Sequence, residues 1–279
     1  MGKRFVTEAK INLKRDVNDS RDKLFSKART LLSEAPEVLP SQKDWTPEMS
    51  PVKDQGSLGS CVAFAVCAMK EWQEQKENLL EIEGGKLDYR KKRFYDLSEQ
   101  WIYYMCKKID PWPNEEGTSI RYGMKVLQKI GVPVEDGWEY NDKVKGKPES
   151  WSSLVARWNT IKSYRRLNGL QEIRTALNLG PCVIGIELFD EFFYVDKTGI
   201  VRWPAQSWKS AGGHAICLVG YDDDKELLKF KNSWSTAWGQ DGYGYISYNY
   251  ANKYIWDAWA AEDMSVTKRM LKGAVQLIG

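Results

Sequence analysis

A chain of 279 residues with 42% hydrophobic and 28% charged residues is long enough to bury a large core, as one domain or two lobes. Its formal net charge of +3 is too small to point to nucleic acid or an anionic membrane surface, and no run approaches the ~20 apolar residues of a membrane span. The 5 cysteines are odd in number and lack C-x-x-C spacing, so neither a disulfide framework nor a metal-binding set is expected.

The first twenty or so residues are polar and charged without an apolar core, unlike a secretory signal. Free thiols without such a signal lead to the expectation of a reducing, cytoplasmic setting. Residues 1–38 read as an N-terminal extension packed loosely on the main body, or as a short removable pro-segment, with a short helix over Ser26–Glu34. The stretch from Leu39 to Pro51 carries Pro40, Pro47 and Pro51 and is expected to be irregular.

From Pro51 a loop rich in Gly and Ser runs into an Ala-rich segment, with Cys61 at the junction. Val62 onward favours helix, continuing to about Leu80. Its first half is apolar nearly all round, a central buried helix, and Glu71–Asn78 is expected to emerge to solvent. The charged stretch from Glu81 to Arg93 reads as a surface loop. A second helix starts after Ser98 as N-cap, with Trp101, Ile102, Met105 and Cys106 on its apolar face. A third, capped by Thr118 or Ser119, runs to Lys129 and stops at Gly131. Residues 132–150 are loop-like and mark the boundary between lobes.

Ile161–Leu167 reads as a strand, Leu170–Leu179 as a helix stopped by Gly180 and Pro181, and Cys182–Leu188 as a buried strand. Ala215–Val219, Leu227–Lys231 and Tyr243–Tyr248 are strand-like, and the acidic turn at Asp222–Lys225 makes a hairpin of the first two. Helices come first and strands second, an α+β arrangement. The main body spans 39–250, with a helical lobe over about 55–150 and a β-rich lobe over about 151–250. Residues 251–279 are a C-terminal strand and tail, of which 265–279 could dock as a short helix.

Cys61 falls in the first turn of its helix, where unpaired N–H groups and the helix dipole stabilise a thiolate. A lone cysteine there is more often a small buried residue. The chain, however, holds 1 histidine, His214, and it sits between two glycines and a buried strand. Pairing of the hairpin brings Asn232 close to His214. The asparagine carbonyl then fixes the imidazole tautomer and leaves the other ring nitrogen facing a nucleophile.

Gln55-Gly56-Ser57 with Gly59-Ser60-Cys61, then Gly213-His214-Ala215, then Lys231-Asn232-Ser233-Trp234 with Trp238-Gly239 and Gly242-Tyr243 resembles the papain-like cysteine peptidases. Leu97-Ser98-Glu99-Gln100 and Gly199 are weaker echoes. Arg15-Asp16, Arg21-Asp22 and Leu58 are similar to the microbial branch. The resemblance covers about Leu39 to Tyr248. It implies a two-lobe α+β fold, a helical lobe against a β-barrel-like lobe, with a polypeptide bound extended in the cleft between them.

It further implies Cys61 as nucleophile, His214 as general base and then acid, Asn232 as its orienter, and Gln55 with the Cys61 N–H as oxyanion donors. Trp234 would shield the Asn232–His214 bond and Trp238 pack behind it. Gly117 and Gly213 would border the substrate. No cofactor or metal is needed, and the N-terminal segment could act as an autoinhibitor. Leu58 replaces a disulfide cysteine of many members, Val62 a tryptophan and Ser235 a common glycine; none removes a catalytic atom. The same dyad would also serve peptidyl or acyl transfer to an amine, and a silent peptide-binding scaffold is the reading from another class.

Overall fold

The computed structural model describes residues 11–83, 95–143 and 146–263. Chain order begins with α1 (Arg29–Glu34), β1 (Gln42–Asp44), α2 (Cys61–Glu83), α3 (Glu99–Ile109), α4 (Ile120–Lys129) and α5 (Ser152–Ala156). It continues with β2 (Ile161–Arg166), α6 (Gly169–Leu179), β3 (Cys182–Phe189), β4 (Ser210–Asp222), β5 (Leu227–Lys231), β6 (Tyr243–Ser247), α7 (Tyr248–Tyr254) and β7 (Ile255–Asp263). The helices-then-strands order read from the sequence holds.

The described strands form a sheet in the order β2-β7-β3-β4-β5-β6, with β1 pairing to β4. All of its pairings are antiparallel. β4 is central, and its alternation explains its unbroken apolar sequence. Ala215, Cys217 and Val219 join one core with α2, α3 and α4, whereas Ile216 and Leu218 join a second core with α6 and α7. A strand buried on both faces needs no polar alternation. α2 lies across β4, so the N-terminus of that helix and the start of that strand meet at one point.

Local chemistry sets the helix ends. Ser98 caps α3 by accepting from the Trp101 N–H at 3.2 Å. Gly131, at φ +84°, ends the segment after α4, in backbone space that suits glycine. Ser119 precedes α4 in the cap position, but its hydroxyl is turned to Asp16 instead of the helix.

Several expectations are corrected. Gln42–Asp44 is a strand on the edge of β4 rather than irregular chain. α7 interrupts the strand-rich end between β6 and β7. The α2 segment Glu71–Gln75 does not emerge to solvent: Glu71, Trp72, Gln73, Glu74 and Gln75 are all buried. Distant partners hold them there. Glu71 accepts from Ser50 Oγ, from Lys53 Nζ at 2.9 Å and from Leu97 N at 3.0 Å. Gln73 donates to Ala261 O at 3.0 Å, and Lys70 pairs with Glu74 at 2.6 Å and Asp263 at 2.5 Å. The extension is not loosely packed either, since Leu13, Asp16, Phe25 and Ala28 are buried. The loop expected over 81–93 lies largely outside the described residues, and the tail over 265–279 wholly so.

Lys53 joins Glu71 at 2.9 Å, Glu99 at 2.7 Å and Asp96 beneath the loop that leads to Cys61. Removing one member of a buried charge set strands the others. Glu71→Ala is therefore expected to lower stability by about 3–5 kcal/mol in equilibrium urea unfolding. A loss under about 1 kcal/mol, the level of an exposed pair, would contradict this placement.

Candidate active site

The loop from Pro51 ends where the backbone turns into α2, so Cys61 starts that helix. Tyr140 holds the loop in shape: its hydroxyl donates to Gln55 O at 2.7 Å and lies 2.7 Å from Ser60 Oγ. Gly56, at φ +55°, makes the tight turn, and Ser57 N–H donates to Asp142 at 2.7 Å. Cys61 is fully buried, and backbone N–H groups of Cys61, Val62 and Ala215 point at its sulfur. Ala215 follows His214 on β4, so the helix terminus and the strand start converge on one sulfur atom.

His214 Nε2 lies 2.9 Å from Asn232 Oδ1. The same Oδ1 accepts the Ser233 N–H at 2.9 Å, which requires an oxygen there. Nε2 must then carry the imidazole proton, and Nδ1 carries a lone pair. Nδ1 is buried and has no hydrogen-bond partner among the described residues. Asn232 arrives by the expected hairpin, since β5 ends with Lys231 opposite Cys217 of β4. Trp234 covers the pair with its ring 4.8 Å from the imidazole. Trp238 packs edge-on to Trp234 at 5.9 Å and is tied by its indole N–H to Phe192 O at 2.9 Å.

Gln55 is fully buried beside this pair. Its Oε1 accepts Ser233 Oγ at 2.7 Å and its Nε2 donates to Leu58 O at 2.9 Å. Gln55 N–H also donates to Ser233 O at 2.9 Å. Ser233 thus couples Gln55 to Asn232, a link that sequence reading did not single out although the residue lies inside the quoted motif. Phe192 and Phe193 were missed as well. Phe193 stacks on Trp234 at 5.5 Å and Phe192 meets it edge-on at 5.3 Å. Their adjacent aromatic rings just after a buried strand were the available signal.

A strap made of residues 11–16 runs across the site. Leu13 N–H donates to Gly213 O at 3.0 Å and Lys14 N–H to Thr118 O at 3.0 Å, so it bonds to both sides of the cleft. The Asn12 N–H lies near enough to the Cys61 sulfur to favour its thiolate, against the larger effect of burial. Gly117, at φ +81°, faces the Asn12 carbonyl so closely that a Cβ there would lie 1.7 Å from the oxygen. Leu13 fills an apolar recess against Gly185 and Ile120. Gly117 and Gly213, expected to border a substrate, border this strap.

Buried charges anchor its far end. Asp16 accepts from Ser119 Oγ, from Trp259 Nε1 at 3.1 Å and from Arg121 N at 3.1 Å, and its own N–H donates to Asp257 at 2.9 Å. Arg121 and Arg166 both reach Asp22, at 2.7 and 3.2 Å. Burial raises the carboxyls of Asp16 and Asp257, the latter to about 6.

Under the strap the dyad is neutral. Burial pushes the Cys61 thiol up to about 11, despite the N–H groups that favour its thiolate. Burial likewise pushes His214 down to about 4, against the Asn232 bond that opposes the shift. Both groups are therefore neutral between those two values.

A thiol at a helix N-terminus, a tautomer-fixed imidazole and a cleft filled by extended chain define the class of thiol hydrolases that act through a Cys-His pair. Residues 39–260 match the papain family cysteine protease domain, and the chain belongs to that family. It is 30% identical over 231 residues to an uncharacterized peptidase C1-like protein of Acanthamoeba polyphaga mimivirus, covering 78% of this chain and 69% of that protein. It is 30% identical over 216 residues to cysteine proteinase 1 of Entamoeba histolytica, covering 73% of this chain and 62% of that one. Xylellain, a cysteine protease from Xylella fastidiosa, superposes with a TM-score of 0.76 at 26% identity, over 93% of this chain and 98% of xylellain. The chain thus spans about two thirds of the length of these curated relatives. The two-lobe α+β expectation stands.

Because the chain holds 1 histidine, its titration can be read without assignment ambiguity. A base with a lowered pKa stays neutral until the pH falls through that value. In the full chain the His214 imidazole resonance is expected to titrate near 4. In a Leu13→Asp chain, where water reaches the cleft, it should move up toward or above the ordinary ~6.5. Equal titration in both chains would contradict burial by the strap as the cause.

Proposed function

We propose that this chain is a cysteine endopeptidase held latent by its own N-terminal strap. The observation that carries the reading is the partnerless Nδ1 of His214, with Nε2 fixed by Asn232, beside a thiol at the start of α2. His214 takes the Cys61 thiol proton as the sulfur attacks a peptide carbonyl. The resulting oxyanion is met by the Cys61 N–H and the Gln55 side-chain amide. Such a donor typically contributes about 3–4 kcal/mol to transition-state stabilisation. The C–N bond then breaks, and His214 returns the proton to the leaving amine. Water, deprotonated by His214, attacks the thioester, releasing the acid and restoring the thiol.

The strap supports latency by its chemistry. It presents an N–H to the sulfur where a substrate must present a carbonyl carbon, so it fills the cleft without being attacked. A polypeptide has to displace it, and the Leu13 recess is the apolar contact a substrate would inherit. The 5 cysteines, all buried and unpaired, support a reducing compartment such as the cytoplasm.

Burying a leucine contributes about 2 kcal/mol, so Leu13→Asp should free the cleft by about tenfold or more. The test is cleavage of an unfolded protein by the wild-type, Leu13→Asp and Cys61→Ala chains. Leu13→Asp is expected to be fastest and Cys61→Ala silent. Cleavage surviving in Cys61→Ala, or no gain in Leu13→Asp, would contradict the proposal.

A further inference from the structure

Beneath the loop that leads to Cys61 lies a set of carboxylates that the hydrolytic steps do not use. Glu71 of α2, Asp96 and Glu99 at the entry to α3, and Glu135 gather around Lys53, whose ammonium meets Glu71 at 2.9 Å, Glu99 at 2.7 Å and Asp96. Lys231 donates to Ser50 Oγ at 2.8 Å, and that hydroxyl donates in turn to Glu71. Four carboxylates thus face two ammoniums, a surplus of two negative charges within the set among the described residues. Burial, with neighbouring carboxylates adding to it, raises the carboxyls of Glu99 and Glu135.

One oxygen each of Asp96, Glu99 and Glu135 lies within 4.8 Å of the others. Lys53 takes Oε1 of Glu99, and the Tyr140 N–H takes Oε1 of Glu135 at 2.6 Å. The second oxygens, Glu99 Oε2 and Glu135 Oε2, are buried with no hydrogen-bond partner among the described residues. Glu99 as a whole is 1% exposed. A carboxylate oxygen in such a place is costly unless a donor or a cation meets it. Lys53 is committed elsewhere, since its three donor hydrogens have Glu71, Glu99 and Asp96 to serve. The Asp96 side chain is 60% exposed, so the cluster is open to solvent on that side.

We propose that Asp96, Glu99 and Glu135 bind one Ca²⁺ ion, which stiffens the loop ahead of Cys61. An anionic set of oxygens suits a hard cation. The spacing favours calcium: its bonds of about 2.3–2.6 Å span oxygens up to about 5 Å apart, whereas Mg²⁺, at about 2.0–2.1 Å, draws its oxygens to within about 4.2 Å. Water completes the shell from the Asp96 side. The ion joins the segments that hold the loop. Asp96 O accepts the Glu135 N–H at 2.8 Å, Glu135 accepts the Tyr140 N–H, and the Tyr140 hydroxyl donates to Gln55 O at 2.7 Å. This binding does not depend on the hydrolytic reading and can be measured without it.

The test is calorimetric titration of the EDTA-treated, desalted full chain with CaCl₂ and with MgCl₂, with thermal unfolding in parallel. One calcium per chain is expected, bound about tenfold or more tighter than magnesium. At a hundredfold excess over Kd it should raise Tm by about 5 °C or more. Asp96→Asn, on the exposed side where folding tolerates the change, should weaken calcium binding by about tenfold or more, and Glu135→Gln likewise. Amide exchange at Tyr140 should slow on adding calcium to the wild-type chain and stay unchanged in Asp96→Asn at the same concentration. Absence of binding and of any Tm shift, binding undiminished in both variants, or magnesium bound as tightly as calcium would overturn the site. Calcium bound with no slowing at Tyr140 would overturn its hold on the loop.

Discussion

The hydrogen bond between His214 and Asn232 is the contact on which the rest of the site depends. It needs β4 and β5 in register, a second donor on the asparagine oxygen and a roof against water. Ser233 supplies the donor through its N–H, 2.9 Å from Oδ1. Trp234, Phe192 and Phe193 supply the roof. The tautomer then follows, and the free lone pair of Nδ1 is left on the side of the imidazole that has no other partner. The loop before α2 is tied to the same hairpin, since Gln55 bonds to Ser233 through both backbone and side chain. Nucleophile loop and base hairpin are therefore one hydrogen-bonded unit across the two halves.

That unit is covered by chain from its own N-terminus. Burial there disfavours the thiolate and the imidazolium together, which is the basis of the proposed latency. The strap is held at one end by an apolar side chain in a recess and at the other by the Asp16, Asp22 and Asp257 carboxylates against Arg121 and Arg166.

The site was legible in the sequence because each of its members sits inside a short local pattern: a Gly/Ser loop into a helix for Cys61, a glycine pair into a strand for His214, and a hairpin for Asn232. Sheet and helix order were legible for the same reason. The burial of Glu71–Gln75 was not, because polar residues read as solvent-facing until Ser50, Lys53, Leu97 and Ala261 are brought to them by the fold. The strap was hidden more deeply. It is held by backbone hydrogen bonds, one leucine and the Asp16 carboxylate, whose partners all lie far along the chain, and its sequence has neither helical nor strand periodicity. The coupling role of Ser233 depends on two partners far apart in the chain, and only the fold joins them.

The central claim is that the strap, by excluding water, keeps Cys61 a neutral thiol beside a competent base. The most direct measurement is the thiolate ultraviolet absorbance of Cys61 against pH, taken as the difference from a Cys61→Ser chain, with the strap seated and with it displaced by Leu13→Asp. The account predicts a thiol that titrates near 11 under the strap. With the strap displaced it should titrate below the ordinary ~8.5 of a free cysteine, an effect that His214→Ala removes. A thiol with the same pKa in both chains, or one indifferent to His214, would contradict it.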